Sequence, residues 1–355
     1  MTDRPPSRET AEHDAAAVLR RVAFLLERLG ESAYRARAFR TAAAALEKLD
    51  AAEVARRVRT RTLADVAGFG PVTATLVAEV MAGEAPAYLQ QLEARLDAEP
   101  AAPGTALLDL LRGDCHVHSN WSDGRASIAE MAEGAMQLGH DYIVLTDHSP
   151  SLKIAHGLDA SRLEQQLDVV ASLNRDLAPF RILTGIEVDI LADGSLDQDE
   201  SLLARLDVVV GSVHSQLRAP RATMTERLLR AVANPHLDIL GHCTGRMRTS
   251  KRDRPESEFD AERVFTRCAS LGKAIEVNSL PARRDPPSRL IRMAVDLGCA
   301  FSIDSDAHAP GELAGKVGGC ARAAENGIGA MRVVNALGAD DLLAWTRTHD
   351  SRKPT

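Results

Sequence analysis

The chain has 355 residues, of which 45% are hydrophobic and 3% aromatic, and its formal net charge at pH 7 is -7. This length predicts two or three domains, or one large barrel with a small second domain. The acidic balance argues against a general nucleic-acid coat protein but leaves room for a local basic patch. No apolar run is long enough to cross a bilayer, and the charged N-terminus has no apolar signal core, so we expect a soluble cytoplasmic protein without a membrane partner.

The first quarter of the chain predicts a small all-helical domain over residues 13–96, after a disordered segment at residues 1–12. Apolar residues recur at helical spacing from Val18 to Leu29, and Gly30 is placed to end that helix. Two more helices are expected at Tyr34–Leu49 and Glu53–Arg59.

Basic residues are concentrated in these helices. Between Arg20 and Arg61 there are 11 Lys and Arg residues against 5 Asp and Glu residues, in an otherwise acidic chain. Two interpretations stay open: a solvated helix face, or a surface for the DNA backbone. For the second interpretation the candidate contacts are Arg35, Arg37 and Arg40.

Residues 63–80 predict a helix-hairpin-helix: a short helix, a turn containing Gly68 and Gly70, and a second helix. The glycines free the backbone to approach a DNA phosphate, and the N–H groups that open the second helix, at Val72 and Thr73, can bind it. A purely structural helical turn is the alternative. The stretch resembles the N-terminal domain of family X DNA polymerases. In lyase-competent relatives a Schiff-base lysine lies in the second helix, but here no lysine occurs between Lys48 and Lys153, which argues against lyase activity.

After a Pro/Ala/Gly linker at residues 97–106, the second domain at residues 107–350 alternates strands with helices. This alternation favours a parallel α/β fold, and we expect a distorted (β/α)7 TIM-like barrel, one unit short of the usual eight. A doubly wound open sheet is the alternative, although no Gly-x-Gly-x-x-Gly follows a strand. Strands are predicted at Leu111–His118, Asp141–Asp147, Arg181–Asp189, Leu206–His214, Leu237–His242, Lys273–Asn278 and Ala300–Asp306. Helices are predicted at Ile128–Leu138, Ala160–Leu177, Ser201–Arg205, Thr225–Ala233, Asp260–Leu271 and Ser288–Leu297.

Metal-type side chains follow all but one of the predicted strands. Six of the eleven histidines occur there, whereas the other five scatter, and of those only His156 lies in a loop that could fold over such a site. Active sites of parallel barrels are built where the strands end. Strand alternation would place Asp114 on the same face as the first two histidines. The residues concerned are His116, His118, Asp123, His148, Glu187, His214, His242, Asp306 and His308.

This pattern resembles the PHP (polymerase and histidinol phosphatase) superfamily, and most closely the C-terminal PHP domain of bacterial family X polymerases, although no polymerase catalytic domain separates the two parts here. The matching motifs are Asp114-x-His116-x-His118, Asp123-Gly124, Thr146-Asp147-His148-Ser149, Gly185-Ile186-Glu187-Val188-Asp189, Ser212-Val213-His214, Gly241-His242 and Ile303-Asp304-Ser305-Asp306-Ala307-His308. The resemblance implies three divalent metal ions, which could be zinc, manganese or iron. It assigns the first to His116, His118, Glu187 and Asp306; the second to Glu187, His214 and His242; and the third to Asp123, His148 and His308.

Such ions activate water and neutralise phosphate charge, which predicts a phosphoester hydrolase. Glu187 would bridge two ions, and Arg246 and Arg283, just after strand ends, are either phosphate clamps or surface arginines. Asp114, Asp147, Asp189 and Asp304 are expected to orient imidazoles.

Three functions compete for this sequence. The first is a 3′-5′ exonuclease or end-processing phosphoesterase for DNA repair, with DNA held by the helical domain. The second is a small-molecule phosphomonoesterase of the histidinol-phosphatase type. The third is a non-catalytic DNA-binding scaffold. The basic helices and the hairpin favour the first, and the full set of metal-type side chains argues against the third.

Overall fold

The structure is a computed structural model and describes residues 8–98, 104–249 and 253–349. The described chain divides into two compact units, one on each side of residue 100. No helix in the described part is both long and apolar enough to cross a membrane.

The first unit is all helical. Its long first helix packs against the second, fourth and fifth helices, and Gly30 follows it with a left-handed backbone, φ 67°. The first helix begins at Arg8, so residues 8–12 are helical although the sequence predicted disorder; residues 1–7 lie outside the described chain. The helices are α1 (Arg8–Arg28), α2 (Ala33–Leu46), α3 (Ala51–Thr60), α4 (Pro71–Met81) and α5 (Ala87–Asp97), with a 3-10 helix at Leu63–Asp65.

The second unit is a parallel barrel. It begins with the short helix α6 (Thr105–Leu108), so the end of the predicted linker is helical. The strands are β1 (Gly113–Val117), β2 (Tyr142–Leu145), β3 (Arg181–Asp189), β4 (Val208–Ser212), β5 (Ile239–Leu240), the hairpin strands β6 (Met247–Arg248) and β7 (Asp253–Arg254), β8 (Ala274–Asn278) and β9 (Ala300–Asp304). The helices are α7 (Ile128–Gln137), α8 (Ala160–Leu177), α9 (Glu200–Leu203), α10 (Arg221–Ala233), α11 (Ala261–Ser270), α12 (Ser288–Asp296), α13 (Lys316–Glu325) and α14 (Ala339–Arg347).

Seven strands form one sheet in chain order, β1-β2-β3-β4-β5-β8-β9, and every neighbouring pair is parallel. The two edges meet where the His118 N–H donates to the Ala307 carbonyl at 2.9 Å, which nearly closes the barrel. The predicted (β/α)7 barrel is therefore confirmed. The antiparallel β6–β7 hairpin after β5 was not predicted.

Three apolar clusters hold the barrel, one of them joining Val117, Ile143 and Ile182 to Met131 of α7 and Val170 of α8. Outward-facing strand residues such as Val209 and Ile275 pack in a second cluster with Leu228 of α10 and Val264 of α11. A third cluster joins the first residues of the strands to Leu342 and Leu343 of α14, which cover the N-terminal end of the barrel. Burial of these aliphatic side chains leaves only the C-terminal ends of the strands for polar chemistry.

Candidate metal centre

The structure brings the nine predicted metal ligands to one place at the C-terminal ends of the strands. Glu187, near the end of β3, lies at the middle of this group and contacts five imidazoles. The more exposed edge is formed by Asp123, whose side chain is 36% exposed, and by His308 at 19%. The five imidazoles around Glu187 are His116, His118, His148, His214 and His242.

Four ligand atoms from β1, β3 and the end of β9 surround one position. Nε2 of His116 lies 3.4 Å from Oε2 of Glu187 and 3.8 Å from Oδ1 of Asp306. Nε2 of His118 lies 3.6 Å and 3.3 Å from the same two oxygens. Asp306 holds a left-handed backbone, φ 55°, a conformation that aspartate tolerates better than most residues and that is typical of functional sites.

The other two groups adjoin the first. Oε1 of Glu187 lies 3.3 Å from Nε2 of His214 and 2.7 Å from Nε2 of His242. Oδ1 of Asp123 lies 3.5 Å from Nε2 of His148 and 3.4 Å from Nε2 of His308. Oε1 of Glu187 thus faces His214 and His242, whereas Oε2 faces His116, His118 and, at 2.8 Å, Nδ1 of His148. A carboxylate in this position could be shared between ions.

These donors fit divalent ions. A tetrahedral ion with bonds of about 2.0–2.2 Å needs ligand atoms about 3.4 Å apart, and the separations here run from 2.7 to 3.8 Å around that value. Several of these atoms are buried and have no hydrogen-bond partner in the described chain, which is costly unless a ligand satisfies them. They are Nε2 of His116, His118, His214 and His242, and both carboxylate oxygens of Glu187.

Positive groups at the centre lower the pKa values of two of its buried carboxylates, Glu187 and Asp306. Burial alone would raise the pKa of Glu187, but the surrounding imidazoles, His214 and His116 foremost, hold it well below its usual value. Asp306 is likewise buried, yet His116 and Arg283 keep its pKa well below the usual range. Both carboxylates are therefore anions that attract cations.

Strand β1 differs from simple alternation. Its pairing with β2 shifts register between Asp114 and Val117, so Cys115 and Val117 belong to different apolar clusters. Alternation predicted that Asp114 would lie on the same face as the imidazoles. Because of the register shift, it does not. Its Oδ1 accepts the N–H groups of His116 and Ser305 at 3.2 Å each, and its Oδ2 lies 3.6 Å from Nζ of Lys316.

Glu276 of β8 is a site residue that the sequence analysis missed. Its Oε1 lies 2.7 Å from Nδ1 of His116, and its Oε2 accepts the N–H of His242 at 2.5 Å. It was missed because only the last residue of that strand, Asn278, was considered. The signal was a glutamate between Ile275 and Val277 in a buried strand, which must have a polar partner.

Of the four aspartates expected to orient imidazoles, Asp189 alone lies beside one: its Oδ1 accepts the main-chain N–H of His214 at 3.0 Å and lies 3.5 Å from Nδ1 of the same residue, without a hydrogen bond to it. Asp147 instead accepts hydrogen bonds from Ser119, Ser122 and Gln166, and so fixes the loop that carries Asp123. Asp304 accepts the N–H of Cys115 at 2.9 Å. The prediction for Asp147 and Asp304 was therefore wrong, because main-chain N–H groups compete with imidazoles for buried carboxylates.

The two candidate arginines have different positions. Arg283 lies beside the ligands with 10% of its side chain exposed, and its Nε donates to Oδ2 of Asp306 at 2.9 Å. Arg246 contacts none of the nine ligands; its guanidinium binds the carbonyls of Arg283 at 2.7 Å and Arg284 at 2.5 Å. We therefore correct Arg246 from a catalytic candidate to a residue that holds the loop of Arg283. His156 is exposed and contacts no ligand.

The hairpin of the first unit has the predicted form. Gly68 has a φ of 99°, and a Cβ there would lie 3.0 Å from Cβ of Ala45. Gly70 precedes α4, and nothing lies within 4 Å of where its Cβ would be. The Thr73 hydroxyl accepts the Gly70 N–H at 2.9 Å, so the Thr73 side chain stabilises the turn. The main-chain N–H groups of Val72 and Thr73 belong to the first helical turn, which leaves them without intrahelical partners; the Val72 side chain is 54% exposed.

The arginines of α2 divide into two kinds. Arg40 forms a bidentate, largely buried pair with Glu27, at 2.9 Å and 2.6 Å, which joins α2 to α1. This pairing favours a structural role for Arg40 over the predicted contact with DNA. Arg35 pairs with Glu31 at 2.6 Å but is exposed, and Arg37 is exposed.

The chain was compared with known proteins. The family model of the PHP domain matches residues 114–280, and that of a helix-hairpin-helix domain matches residues 11–85. The DNA polymerase/3′-5′ exonuclease PolX of Bacillus subtilis is 36% identical over 260 residues, which are 73% of this chain and 45% of that protein. This chain thus spans less than half of that relative.

Two further relatives are smaller. A protein named "Probable phosphatase" from Vibrio campbellii is 31% identical over 211 residues, 56% of this chain and 78% of that protein. The structure of histidinol phosphate phosphatase from Lactococcus lactis, in complex with zinc, L-histidinol and phosphate, is 18% identical and covers 56% of this chain and 87% of its own, with a TM-score of 0.41. The matched motifs, the barrel and these sequence relatives agree: the chain belongs to the PHP family.

Proposed function

We propose that this PHP-family phosphoester hydrolase acts on DNA ends, as a 3′-5′ exonuclease or an end-processing phosphoesterase. One observation carries the proposal: a full metal-ligand set around Glu187 occurs in the same chain as a helix-hairpin-helix whose Gly70 leaves open space for a phosphate. A backbone-binding hairpin gives a phosphoesterase access to a polymer, and it gives no advantage with a small ester.

The residues divide the chemistry as follows. The nine ligands would hold divalent ions, which when bound lower the pKa of water and offset phosphate charge in the transition state. Arg283, fixed by Asp306, presents a permanent positive charge beside the ligands. Glu276 holds the imidazole of His116 in orientation, and Asp189 accepts the main-chain N–H of His214. Exposed Arg37 and the α4 N–H groups would bind the DNA backbone, a role that is sequence-independent.

The test is direct. A 5′-labelled DNA strand is incubated with manganese-loaded protein, and the products are separated at nucleotide resolution. We expect a ladder that shortens from the 3′ end and is absent with His116→Ala. His156→Ala is the matched control, since this histidine is exposed and outside the centre, and it should cleave like the wild type. Rising salt should weaken DNA processing steeply through counterion release.

Hydrolysis of a small phosphomonoester is the second candidate, supported by the name of the Vibrio relative. The same preparations are therefore assayed with histidinol phosphate. Release of phosphate from histidinol phosphate, without cleavage of the DNA strand, would favour the small-molecule phosphomonoesterase over the DNA-processing enzyme. Loss of neither activity in His116→Ala would contradict both.

A further inference from the structure

A cavity of about 360 Å³ adjoins the metal centre and is lined by five arginines. The loops after β5 and β8 and helix α13 contribute them, and the wall also includes one carboxylate, that of Glu325. Five guanidinium groups around one small space repel one another unless an anion binds. The arginines are Arg246, Arg248, Arg283, Arg284 and Arg322.

Arg283 connects the cavity to the centre. It lines the cavity, and its Nε donates to the ligand Asp306. Its Nη1 is buried and has no hydrogen-bond partner in the described chain. A buried guanidinium nitrogen without a partner is costly, and an oxygen of a bound phosphate would satisfy it.

Arg322 adds a buried charge. Only 6% of the residue is exposed, and its guanidinium donates to the carbonyls of Asn278 and Pro286. No carboxylate of a described residue forms an ion pair with it. Burial, together with the charges of Arg246 and Arg284, lowers the pKa of Arg322 to about 10. The positive charge of the cavity is therefore incompletely neutralised from within.

The remaining wall also favours an anion. Pro287 and Ser288 line it, and α12 begins at Ser288, so the first turn of a nine-residue helix opens here. Helix N-termini present free N–H groups and a positive dipole end to anions. Besides the pair of Arg283 with Asp306, the acidic pairings of these arginines are loose: Glu256 lies 3.6 Å from Arg246, and Asp253 lies 3.8 Å from Arg248.

We propose that this arginine cavity binds the phosphate one nucleotide on the 5′ side of the bond that is hydrolysed. The inference rests on the proposed function and names its substrate class: a nucleic-acid strand that carries at least two consecutive phosphates. Arg283 is shared between the two phosphate positions because it belongs to the cavity and contacts a metal ligand. A phosphomonoester with a single phosphate would leave the cavity empty.

The test compares two thymidine dinucleotides that differ only in a 5′-terminal phosphate. In both, water adds to the phosphorus between the nucleosides and the bond to the 3′ oxygen breaks, which leaves a 3′-hydroxyl and thymidine 5′-phosphate. We expect kcat/KM to be about tenfold higher for the phosphorylated dinucleotide, the value of one charged hydrogen-bonding contact.

The variant is Arg248→Ala combined with Arg284→Asn. Both side chains are exposed, so their removal leaves no buried hole, and asparagine tolerates the left-handed backbone of Arg284, φ 48°. The ratio of the two kcat/KM values should fall toward one. Arg267→Ala on the exposed face of α11 is the control and should keep the wild-type ratio.

The outcomes separate the two proposals. A wild-type ratio near one, or a ratio that the double variant keeps, would refute the cavity as a phosphate site while the DNA-processing function stands. If the manganese-loaded protein cleaves neither dinucleotide and does not cleave the longer DNA strand, the proposed function is refuted, and the role of the cavity with it.

Discussion

Nδ1 of His116 lies 2.7 Å from Oε1 of Glu276, on the side of the ring away from the ligand atom Nε2. The other carboxylate oxygen of Glu276 accepts the main-chain N–H of His242. One glutamate therefore fixes two ligands of different groups. Carboxylates that bind the second imidazole nitrogen set the tautomer and orientation of metal-binding histidines.

We expect Glu276→Gln to weaken metal binding by about 10- to 100-fold. The amide cannot accept from both N–H groups, and the charge that favours the His116 tautomer is lost. Isothermal titration with manganese or zinc measures the change, and high metal concentration should restore part of the activity. Glu262→Gln, on the exposed face of α11, is the matched control. Unchanged metal affinity in Glu276→Gln would refute this positioning role.

Metal binding should stabilise the barrel. A ligand at 100 times its Kd adds about 2.7 kcal/mol to the free energy of unfolding, and a chelator should remove that gain. Glu187→Gln should abolish the metal-dependent gain in stability. Each oxygen of Glu187 faces imidazole nitrogens that would bind the same ion. Thermal unfolding with and without metal measures both effects. An equal gain in wild type and Glu187→Gln would count against the shared carboxylate.

Two glycines of the hairpin should behave differently. Gly68→Ala should destabilise the helical unit by about 1–2 kcal/mol, because alanine is strained at φ 99°. Gly70→Ala meets open space and costs at most about 1 kcal/mol as a poorer N-cap. Its Cβ would nevertheless stand where a phosphate approaches, so DNA affinity, measured by fluorescence anisotropy, should fall. Full affinity in a folded Gly70→Ala protein would place DNA elsewhere.

Arg40 and Arg37 form a matched pair on α2. Arg40→Ala leaves Glu27 buried without its bidentate partner, and we expect a loss of about 3 kcal/mol in the free energy of unfolding. Arg37→Ala should leave stability unchanged and weaken DNA binding, since its side chain is exposed. Urea unfolding and DNA titration at fixed salt distinguish the two. The reverse pattern would mean that Arg40 is the DNA contact.

A pH effect is expected at His140. Burial and the nearby Lys316, whose Nζ lies 2.9 Å from its Nε2, lower the pKa of His140 to about 3. The folded chain thus keeps it neutral, whereas the unfolded chain protonates it below about pH 6.5. Stability from this residue is full above that pH and is lost as the pH falls toward 3. His140→Gln should flatten the dependence between pH 6.5 and 4; an unchanged slope would contradict the shift.

The strands and their order were predictable because each is an apolar run that ends in a polar residue. Strand bounds differ by a few residues, as for β4, where Leu206–His214 was predicted and Val208–Ser212 is found. The β6–β7 hairpin was not predictable by the same route, since its strands have two residues each and, unlike those of β5, these are not buried apolar residues. The short 3-10 helix at Leu63–Asp65 stands where a short helix was expected.

The site was predictable to the extent that ligands follow strand ends. Contacts that depend on distant partners were not. Arg40 looked like its neighbours in sequence, yet Glu27 lies thirteen residues away and pairs with it. Asp114 was misplaced because alternation assumes regular pairing, and the shift in β1 breaks it. Both errors come from tertiary contacts that local patterns do not contain.

Arg246 links two loops that are far apart in sequence. It directly precedes β6, and its guanidinium donates to two consecutive main-chain carbonyls, those of Arg283 and Arg284. A displacement of the hairpin must therefore either break these bonds or move Arg283 and, through its hydrogen bond, Asp306. The position of the hairpin is thereby coupled to that of a carboxylate at the candidate metal centre.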